Sequence, residues 1–224
     1  MALKRGRVRV GSIRGPVCGL LFASTATNYI DRQVLCILAP HLEKVLGWSE
    51  VEYGWIVTAF QAAYAIGLAF FGRFIDRYGT RIGYAAAVIL WSVAAMAHAA
   101  ARGVAGFALA RASLGLSEAG NFPTAIKTVA EWFPRRERAL ATGIFNAGSN
   151  IGAVVAPAVV PWITVRFGWP AAFLLTGALG FIWVVFWLAS YQTPEKKKSL
   201  SRAEFAHIHS DPPEAAPEKI PWIL

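Results

Sequence analysis

Long apolar blocks alternate with short polar segments along this chain. Six blocks have about the 20 residues that a helix needs to cross the hydrocarbon core of a bilayer. The segments between them collect most of the Lys, Arg and Asp residues. The pattern predicts an all-α membrane protein with six transmembrane helices, near residues 16–39, 53–71, 82–101, 104–129, 139–163 and 169–191.

Composition supports this interpretation and excludes two others. The chain has 224 residues, of which 56% are hydrophobic and 16% charged, and its mean hydropathy is +0.45. A soluble domain carries about 25% charged residues, and a disordered chain has low hydrophobicity. We therefore expect neither a single soluble domain nor a disordered segment, but a polytopic membrane protein.

The distribution of basic residues predicts the orientation in the membrane. Sixteen of the 22 Lys and Arg residues lie in the N-terminal arm, the 72–81 and 130–138 segments, and the tail after residue 192. The alternate loops hold only Lys44, Arg102 and Arg166. Cytoplasmic loops carry the excess of positive charge, so both ends are expected in the cytoplasm. The net charge of +9 is then a topology signal rather than a nucleic-acid site.

Three regions follow along the chain. Residues 1–15 form a basic cytoplasmic arm, residues 16–192 the transmembrane bundle, and residues 193–224 a polar cytoplasmic linker rich in Pro and charge. The linker ends on Ile220–Leu224, which is apolar again. We expect this stretch to begin a further segment, so the chain is interpreted as truncated before a second half.

Ionisable residues inside the predicted spans are the main candidates for function: Asp31, Arg32, Arg111 and Glu118, with Lys127 near a span end. A charge at the bilayer centre costs roughly 3 kcal/mol, so each needs a partner or a wet cavity. Arg111 and Glu118 are two helical turns apart and share a face, whereas Asp31 and Arg32 point about 100° apart. The charges serve either as bridges that only lock helices together or as an anion site coupled to protons.

The second interpretation, an anion site coupled to protons, rests on the chemistry of carboxyl and guanidinium groups. A carboxylate in a cavity of low dielectric constant takes up a proton readily, and a guanidinium grips the carboxylate of a ligand. Tyr29, Tyr64 and Asn146 lie at similar depth and could bind the hydroxyl groups of an organic anion. Taken singly, each is also explained as a helix–helix hydrogen bond.

Other chemistry is not indicated. Neither the cysteines, Cys18 and Cys36, nor the histidines have the spacing of a metal site, and no nucleophile motif or phosphate-binding loop is present. Both cysteines are interpreted as small apolar fillers. We expect no metal, no cofactor and no enzymatic activity. Gly148 and Gly152 have the GxxxG spacing of close helix packing.

The 72–81 segment, GRFIDRYGTR, resembles the G-x-x-x-D-R-x-G-x-R signature of the major facilitator superfamily. Thr80 departs from that pattern, because the family usually has a basic residue there. The resemblance implies the N-terminal half of a twelve-helix fold, built of two three-helix repeats. It also implies a gating motif in which the aspartate helps to latch the outward-facing state. The motif residues are Gly72, Asp76, Arg77, Gly79 and Arg81.

Other stretches of the chain resemble a single branch of that family. The stretches NYIDR at 28–32, RASLGLSEAG at 111–120, EWFP at 131–134 and GIFN at 143–146 resemble the anion:cation symporter branch of that family. Residues 47–67 resemble its hexuronate transporters, which carry glucuronate and galacturonate. These similarities cover nearly all of residues 20–205.

The resemblance implies proton-coupled symport of a sugar-acid anion across the inner membrane. Asp31 and Glu118 would be the protonatable coupling residues, with Arg111 as their charge partner. Arg32 would hold the substrate carboxylate, assisted by Tyr29, Tyr64 and Asn146. Three alternatives stay open: another anion such as glucarate or galactonate, sodium as the coupling ion, and a membrane half that does not transport.

Overall fold

The computed structural model describes residues 13–211, and within that range every regular element is helical. The prediction of an all-α fold is therefore confirmed. The basic residues of the predicted N-terminal arm before residue 13, and the apolar end at 220–224, lie outside the described residues. The helices are α1 (Arg14–Leu46), α2 (Glu50–Ala97), a short 3-10 helix (His98–Ala100), α3 (Val104–Glu118), α4 (Asn121–Trp132), α5 (Arg135–Phe167), α6 (Trp169–Ser190) and α7 (Arg202–Ile208).

Three helices are long and apolar enough to cross a membrane by themselves. They are Glu50–Ala100, Arg135–Phe167 and Trp169–Ser190. The sequence pattern predicts six spans. Two interruptions, one at Gly79 and one at Gly120, divide the helices differently from the predicted spans. The count of six stays a prediction.

The first interruption is at Gly79, inside α2. Its backbone (φ 78°, ψ 166°) is non-helical and lies in a region that suits glycine. Across it, a Cβ atom placed on Gly83 would lie 3.2 Å from Ile75 Cγ1, so the two halves of α2 fold back on each other. The predicted loop at 72–81 is wrong in extent, because residues 72–78 are still helical and the reversal is confined to Gly79.

The second interruption divides the predicted span at 104–129 into α3 and α4. The helical hydrogen bonds loosen at Ala119 and Gly120, and Pro123 has no N–H to offer the Ala119 carbonyl. A Cβ atom on Gly120 would come within 2.8 Å of Ala87 and Phe71. The chain thus turns at a point where it is pressed against both halves of α2.

Close packing of α1 against α5 depends on two glycines. A Cβ atom on Gly148 would overlap the Phe22 carbonyl, and one on Gly152 would overlap the Ala26 carbonyl and lie 3.0 Å from Tyr29 Cβ. Both glycines are buried. The prediction that the GxxxG spacing marks a helix contact is confirmed.

Part of the predicted linker is a helix packed on the bundle. The α7 residue Ile208 is buried among core side chains, and Glu204 Oε1 lies 3.5 Å from Nε of the buried Arg14 of α1. Arg14 also pairs with Glu137 of α5, which accepts a 2.8 Å hydrogen bond from His207 Nε2. The first turns of α1 and α5 are therefore tied to α7.

Candidate functional site

The four ionisable residues predicted inside spans come from two helices, which are linked by bonds between these residues. Asp31 and Arg32 lie midway along α1, and Arg111 and Glu118 lie on α3. Asp31 is 2% exposed and Glu118 is 0% exposed, and Arg111 is buried as well. Helix packing has therefore drawn carboxylates and guanidinium groups into one interior region, which costs free energy unless they are paired or functional.

Arg32 and Glu118 form the ion pair of this site. Arg32 Nε donates to Glu118 Oε2 at 2.6 Å, while the second carboxylate oxygen, Oε1, has no hydrogen-bond partner among residues 13–211. The carboxylate is fully buried, but the Arg32 side chain is 25% exposed. The guanidinium thus joins the buried interior to an accessible surface.

Arg111 lies in the same buried cluster and bonds the backbone of α1. Its Nη2 donates to the Arg32 backbone carbonyl at 2.8 Å. Nε and Nη1 have no hydrogen-bond partner in the part of the chain that the structure describes. The direct hydrogen-bond partner of Glu118 is therefore Arg32. The role of Arg111 as charge partner of Asp31 and Glu118, which the resemblance implies, stays a prediction.

Aromatic rings enclose the two guanidinium groups. Arg32 lies 5.2 Å from the ring centre of Tyr29, 4.7 Å from that of Tyr64 and 5.1 Å from that of Phe60. Arg111 lies 5.2 Å from the same Phe60 ring. Such contacts stabilise a cation by about 0.5–2 kcal/mol, depending on its exposure. Phe60 was not predicted from the sequence. It precedes Tyr64 by one helical turn and therefore lies on the same face of α2.

Asp31 has no such partners. Neither carboxylate oxygen has a hydrogen-bond partner within 3.5 Å among the described residues, and the buried Thr176 of α6 supplies a neighbouring hydroxyl. Asp31 and Arg32 thus lie in different surroundings, since Arg32 points into the aromatic group. Burying a carboxylate without hydrogen-bond partners costs free energy.

Asn146 is not among the side chains that surround Arg32. It is exposed on α5, and in the described range no hydrogen bond of its side chain is observed. Of the predicted substrate-binding residues, the structure thus brings together Arg32, Tyr29 and Tyr64.

The gating motif lies around the Gly79 reversal. Asp76 Oδ1 accepts a 2.6 Å hydrogen bond from Lys127 Nζ of α4, and both side chains are partly or largely exposed. Arg81 Nη2 donates to the Leu188 carbonyl of α6 at 2.6 Å. Gly72 lines a small cavity with Asp76 and Lys127, and Arg77 lies 5.8 Å from the Tyr78 ring centre.

Thr80, the departure from the family pattern, is fully buried. Its hydroxyl donates to Glu131 Oε2 at 2.9 Å, and Tyr191 donates to the same oxygen at 2.6 Å. A hydroxyl thus bonds the α4 carboxylate at a position where the family pattern has a positive charge.

Metal-binding chemistry has no support in the described residues, where no group of three His, Cys, Asp or Glu side chains is arranged to hold an ion. His98 is buried, with Nδ1 2.8 Å from the Ala94 carbonyl of its own helix. Cys18 is buried, as a filler should be, but Cys36 is exposed, so the expectation of a buried thiol is wrong for Cys36.

Comparison with known proteins identifies the family of this chain. The family model described as Major Facilitator Superfamily matches residues 21–222. A galacturonate transporter of Dickeya chrysanthemi is 37% identical over 90% of this chain and 59% of its own length. A hexuronate transporter of Escherichia coli (strain K12) is 38% identical over 89% of this chain and 46% of its own length. For a D-galactonate transporter of Escherichia coli O6:H1 the identity is 33%, over 84% of this chain and 44% of the relative.

Solved structures agree on the fold. A bacterial homolog of the human lysosomal transporter Spinster, in an inward-facing conformation, superposes with a TM-score of 0.73 at 22% identity and covers 81% of this chain and 44% of its own. The human organic anion transporter MFSD10 gives a TM-score of 0.69 at 17% identity, over 88% of this chain and 53% of its own. The chain spans about half the length of the curated relatives it matches.

Proposed function

This chain belongs to the Major Facilitator Superfamily, and from that membership we propose that it forms the N-terminal half of a secondary transporter for sugar-acid anions. The relatives are named as transporters, which favours transport over catalysis. In twelve-helix transporters of this kind the substrate lies between two halves. The proposed partner of this half is therefore a second six-helix half, which would complete the binding site.

The proposed membrane topology has six crossings and both ends in the cytoplasm of a bacterial-type inner membrane. The Gly79 reversal lets α2 supply two crossings, and α3 with α4 supplies a fourth that is broken at Gly120. Helices α1, α5 and α6 supply the others. The excess of Lys and Arg at the α1 start, the Gly79 turn and the α4–α5 junction supports this orientation.

The proposed substrate is a hexuronate, a sugar with one carboxylate and several hydroxyl groups. Arg32 offers a guanidinium that is partly exposed and held between aromatic rings, which suits a carboxylate. The Tyr29 and Tyr64 hydroxyl groups lie on the same cluster, and Asn146 on the exposed face of α5 could complete the contacts. The names of the hexuronate and galacturonate relatives support this choice.

The observation that carries the coupling proposal is the contrast between the two buried carboxyl groups. Asp31 has no hydrogen-bond partner among residues 13–211, whereas Glu118 is bonded to Arg32. We assign proton uptake to Asp31 and to Glu118 once Arg32 leaves it for the substrate. Arg111, bonded to the Arg32 carbonyl, holds the cluster in place.

Transport by the protein in its full native length tests this function. Labelled glucuronate should accumulate in membrane vesicles under an imposed inward proton gradient, and an excess of unlabelled galacturonate should compete with it. Accumulation that responds to a sodium gradient instead would contradict proton coupling.

Two competing functions have their own outcomes in that assay. The D-galactonate relative makes other sugar acids the nearest alternative, and stronger competition by galactonate or glucarate than by galacturonate would favour it. A membrane-inserted protein without saturable binding of any of these anions would contradict transport altogether.

A further inference from the structure

A cavity of about 270 Å³, lined by both polar and apolar groups, lies beside the Gly79 reversal, away from the buried charges of α1 and α3. It is bounded on one side by Tyr78, Arg81 and Ile82 at the turn within α2. On the other side are Gln192, Thr193 and Lys196, which follow the end of α6. Two separate parts of the chain thus bring one cation each to the same cavity.

The two cations are not neutralised by carboxylates. Within residues 13–211, neither Arg81 nor Lys196 has an acidic side chain within ion-pair distance. Glu131, bonded to Thr80 of the cavity wall, already accepts hydrogen bonds from Thr80 and Tyr191. The neighbouring Glu195 is 3.6 Å from His209 and so points to α7. The neighbouring carboxylates of Glu131 and Glu195 thus have other partners, and neither pairs with the two cations of the cavity.

A backbone carbonyl holds the Arg81 guanidinium, and a turn fixes the backbone of Lys196. The Arg81 guanidinium uses Nη2 to bond the Leu188 carbonyl, which leaves its other N–H groups free to bind a ligand. The amide of Lys196 donates to the Thr193 carbonyl at 3.0 Å, forming a turn at the cavity edge. Arg81 and Lys196 line the same cavity. A planar guanidinium and an ammonium group placed in this way suit the oxygens of a phosphate group.

Apolar surface continues from the cavity along the bundle. Ile82 at its rim is 58% exposed, and Val185 and Phe186, on the α6 turn before Leu188, are 66% and 59% exposed. These side chains lie on helices long and apolar enough to cross a membrane. A ligand here would meet positive charge at one end and hydrocarbon at the other, which describes a phospholipid rather than a free anion.

We propose that this cavity binds the phosphate group of an acidic phospholipid, with Arg81 and Lys196 as its ligands and the acyl chains along α6. Basic pockets between transmembrane helices are known to hold such headgroups. The site would fasten the Gly79 turn to the end of α6 through the lipid. The site includes Arg81 of the gating motif but none of the groups around Arg32, so its lipid binding is tested separately from substrate binding.

Native mass spectrometry of the purified, delipidated protein tests the site. Phosphatidylglycerol is titrated against phosphatidylcholine with the same acyl chains, and inorganic phosphate is added in a separate arm. Removing one cation should lower phosphatidylglycerol affinity about fivefold, since each basic residue near an anionic surface contributes about 1 kcal/mol. The double variant Arg81→Gln/Lys196→Gln should lose about 25-fold, with phosphatidylcholine affinity unchanged.

Matched controls separate this site from general attraction. Arg73→Gln/Lys198→Gln removes the same charge from exposed positions outside the cavity and should leave phosphatidylglycerol affinity within twofold of the starting protein. Lys196→Gln alone leaves the Arg81–Leu188 bond intact, so a folding defect cannot explain its loss of lipid. Equal loss in control and test variants would overturn the site. Binding of inorganic phosphate as tight as that of phosphatidylglycerol would overturn the lipid assignment.

Discussion

Arg32 and Glu118 lie 86 positions apart in the sequence, yet Arg32 Nε and Glu118 Oε2 are 2.6 Å apart in the folded protein. The pair joins α1 to α3 and puts a fully buried carboxylate on a cation that is partly exposed. If Arg32 binds a substrate carboxylate as proposed, that carboxylate would share the guanidinium with Glu118. The proposal therefore predicts that the stability of the bundle and the affinity for an anion depend on the same two side chains.

A double-mutant cycle on this pair gives the first prediction. Arg32→Gln should lower the free energy of unfolding by about 3 kcal/mol, because it leaves the Glu118 charge buried without a partner. Glu118→Gln should cost less, because Arg32 stays partly exposed between aromatic rings. Thermal unfolding of the purified variants measures both.

In the same cycle the double variant should be about 1–3 kcal/mol more stable than the sum of the single effects predicts. Strict additivity would show that the two side chains do not depend on each other, and it would contradict the ion pair.

Close packing of α1 on α5 gives the second prediction. Gly152→Ala should destabilise the protein by about 1–3 kcal/mol, because the added Cβ overlaps the Ala26 carbonyl and neither helix backbone can move freely. Gly143→Ala on the same helix is the control, since a Cβ atom there meets nothing within 4 Å. Melting temperatures that fall equally for both variants would contradict the role of the glycine contact.

The docking of α7 on the bundle gives the third prediction. Arg14→Gln should release this helix, because it leaves Glu137 and Glu204 without the buried cation that lies between them. Hydrogen exchange of the 202–208 amides should speed up about 30-fold or more, corresponding to about 2 kcal/mol of lost docking energy. Lys198→Gln, an exposed change in the segment before the same helix, should leave the exchange unchanged. Unchanged exchange in the Arg14 variant would show that Ile208 packing alone holds α7.

The Asp76–Lys127 pair gives the fourth prediction, which distinguishes an effect on stability from an effect on uptake. Both side chains are substantially exposed, so Asp76→Asn should change the unfolding free energy by less than about 1 kcal/mol. If the motif acts as the resemblance implies, the same variant should slow uptake several-fold. Arg73→Gln, exposed on the same helix, should do neither. Wild-type uptake by the Asp76 variant would contradict a gating role.

Sequence patterns identified the ionisable residues but not how they pair. Hydropathy and the cost of intramembrane charge are local properties, so Asp31, Arg32, Arg111 and Glu118 could be selected from the sequence. Their partners depend on how α1 is rotated relative to α3. The sequence of a single helix does not specify that rotation. For that reason Arg32 rather than Arg111 bonds Glu118, and the Phe60 ring between the two guanidinium groups was missed.

The same limit applies to the fold. The sequence predicted one span over 104–129. The missing N–H of Pro123 is a local cause of the break at Gly120, but the packing of Gly120 against Ala87 and Phe71 of α2 is a tertiary contact that the sequence does not show. Residues 202–208 looked like part of a polar linker because their charges were read without partners. Buried Arg14 and the first turn of α5 supply those partners, and they became visible only in the packed structure.

The most direct test of the central claim compares net uptake with exchange in the native protein and in Asp31→Asn. Asparagine keeps the shape of the side chain but cannot carry a proton, and Asp31 has no hydrogen bond in the described structure that the change would break. We predict that Asp31→Asn loses accumulation of labelled glucuronate under an inward proton gradient yet still exchanges internal for external glucuronate. Accumulation by the variant at the native level would contradict the assignment of proton coupling to Asp31.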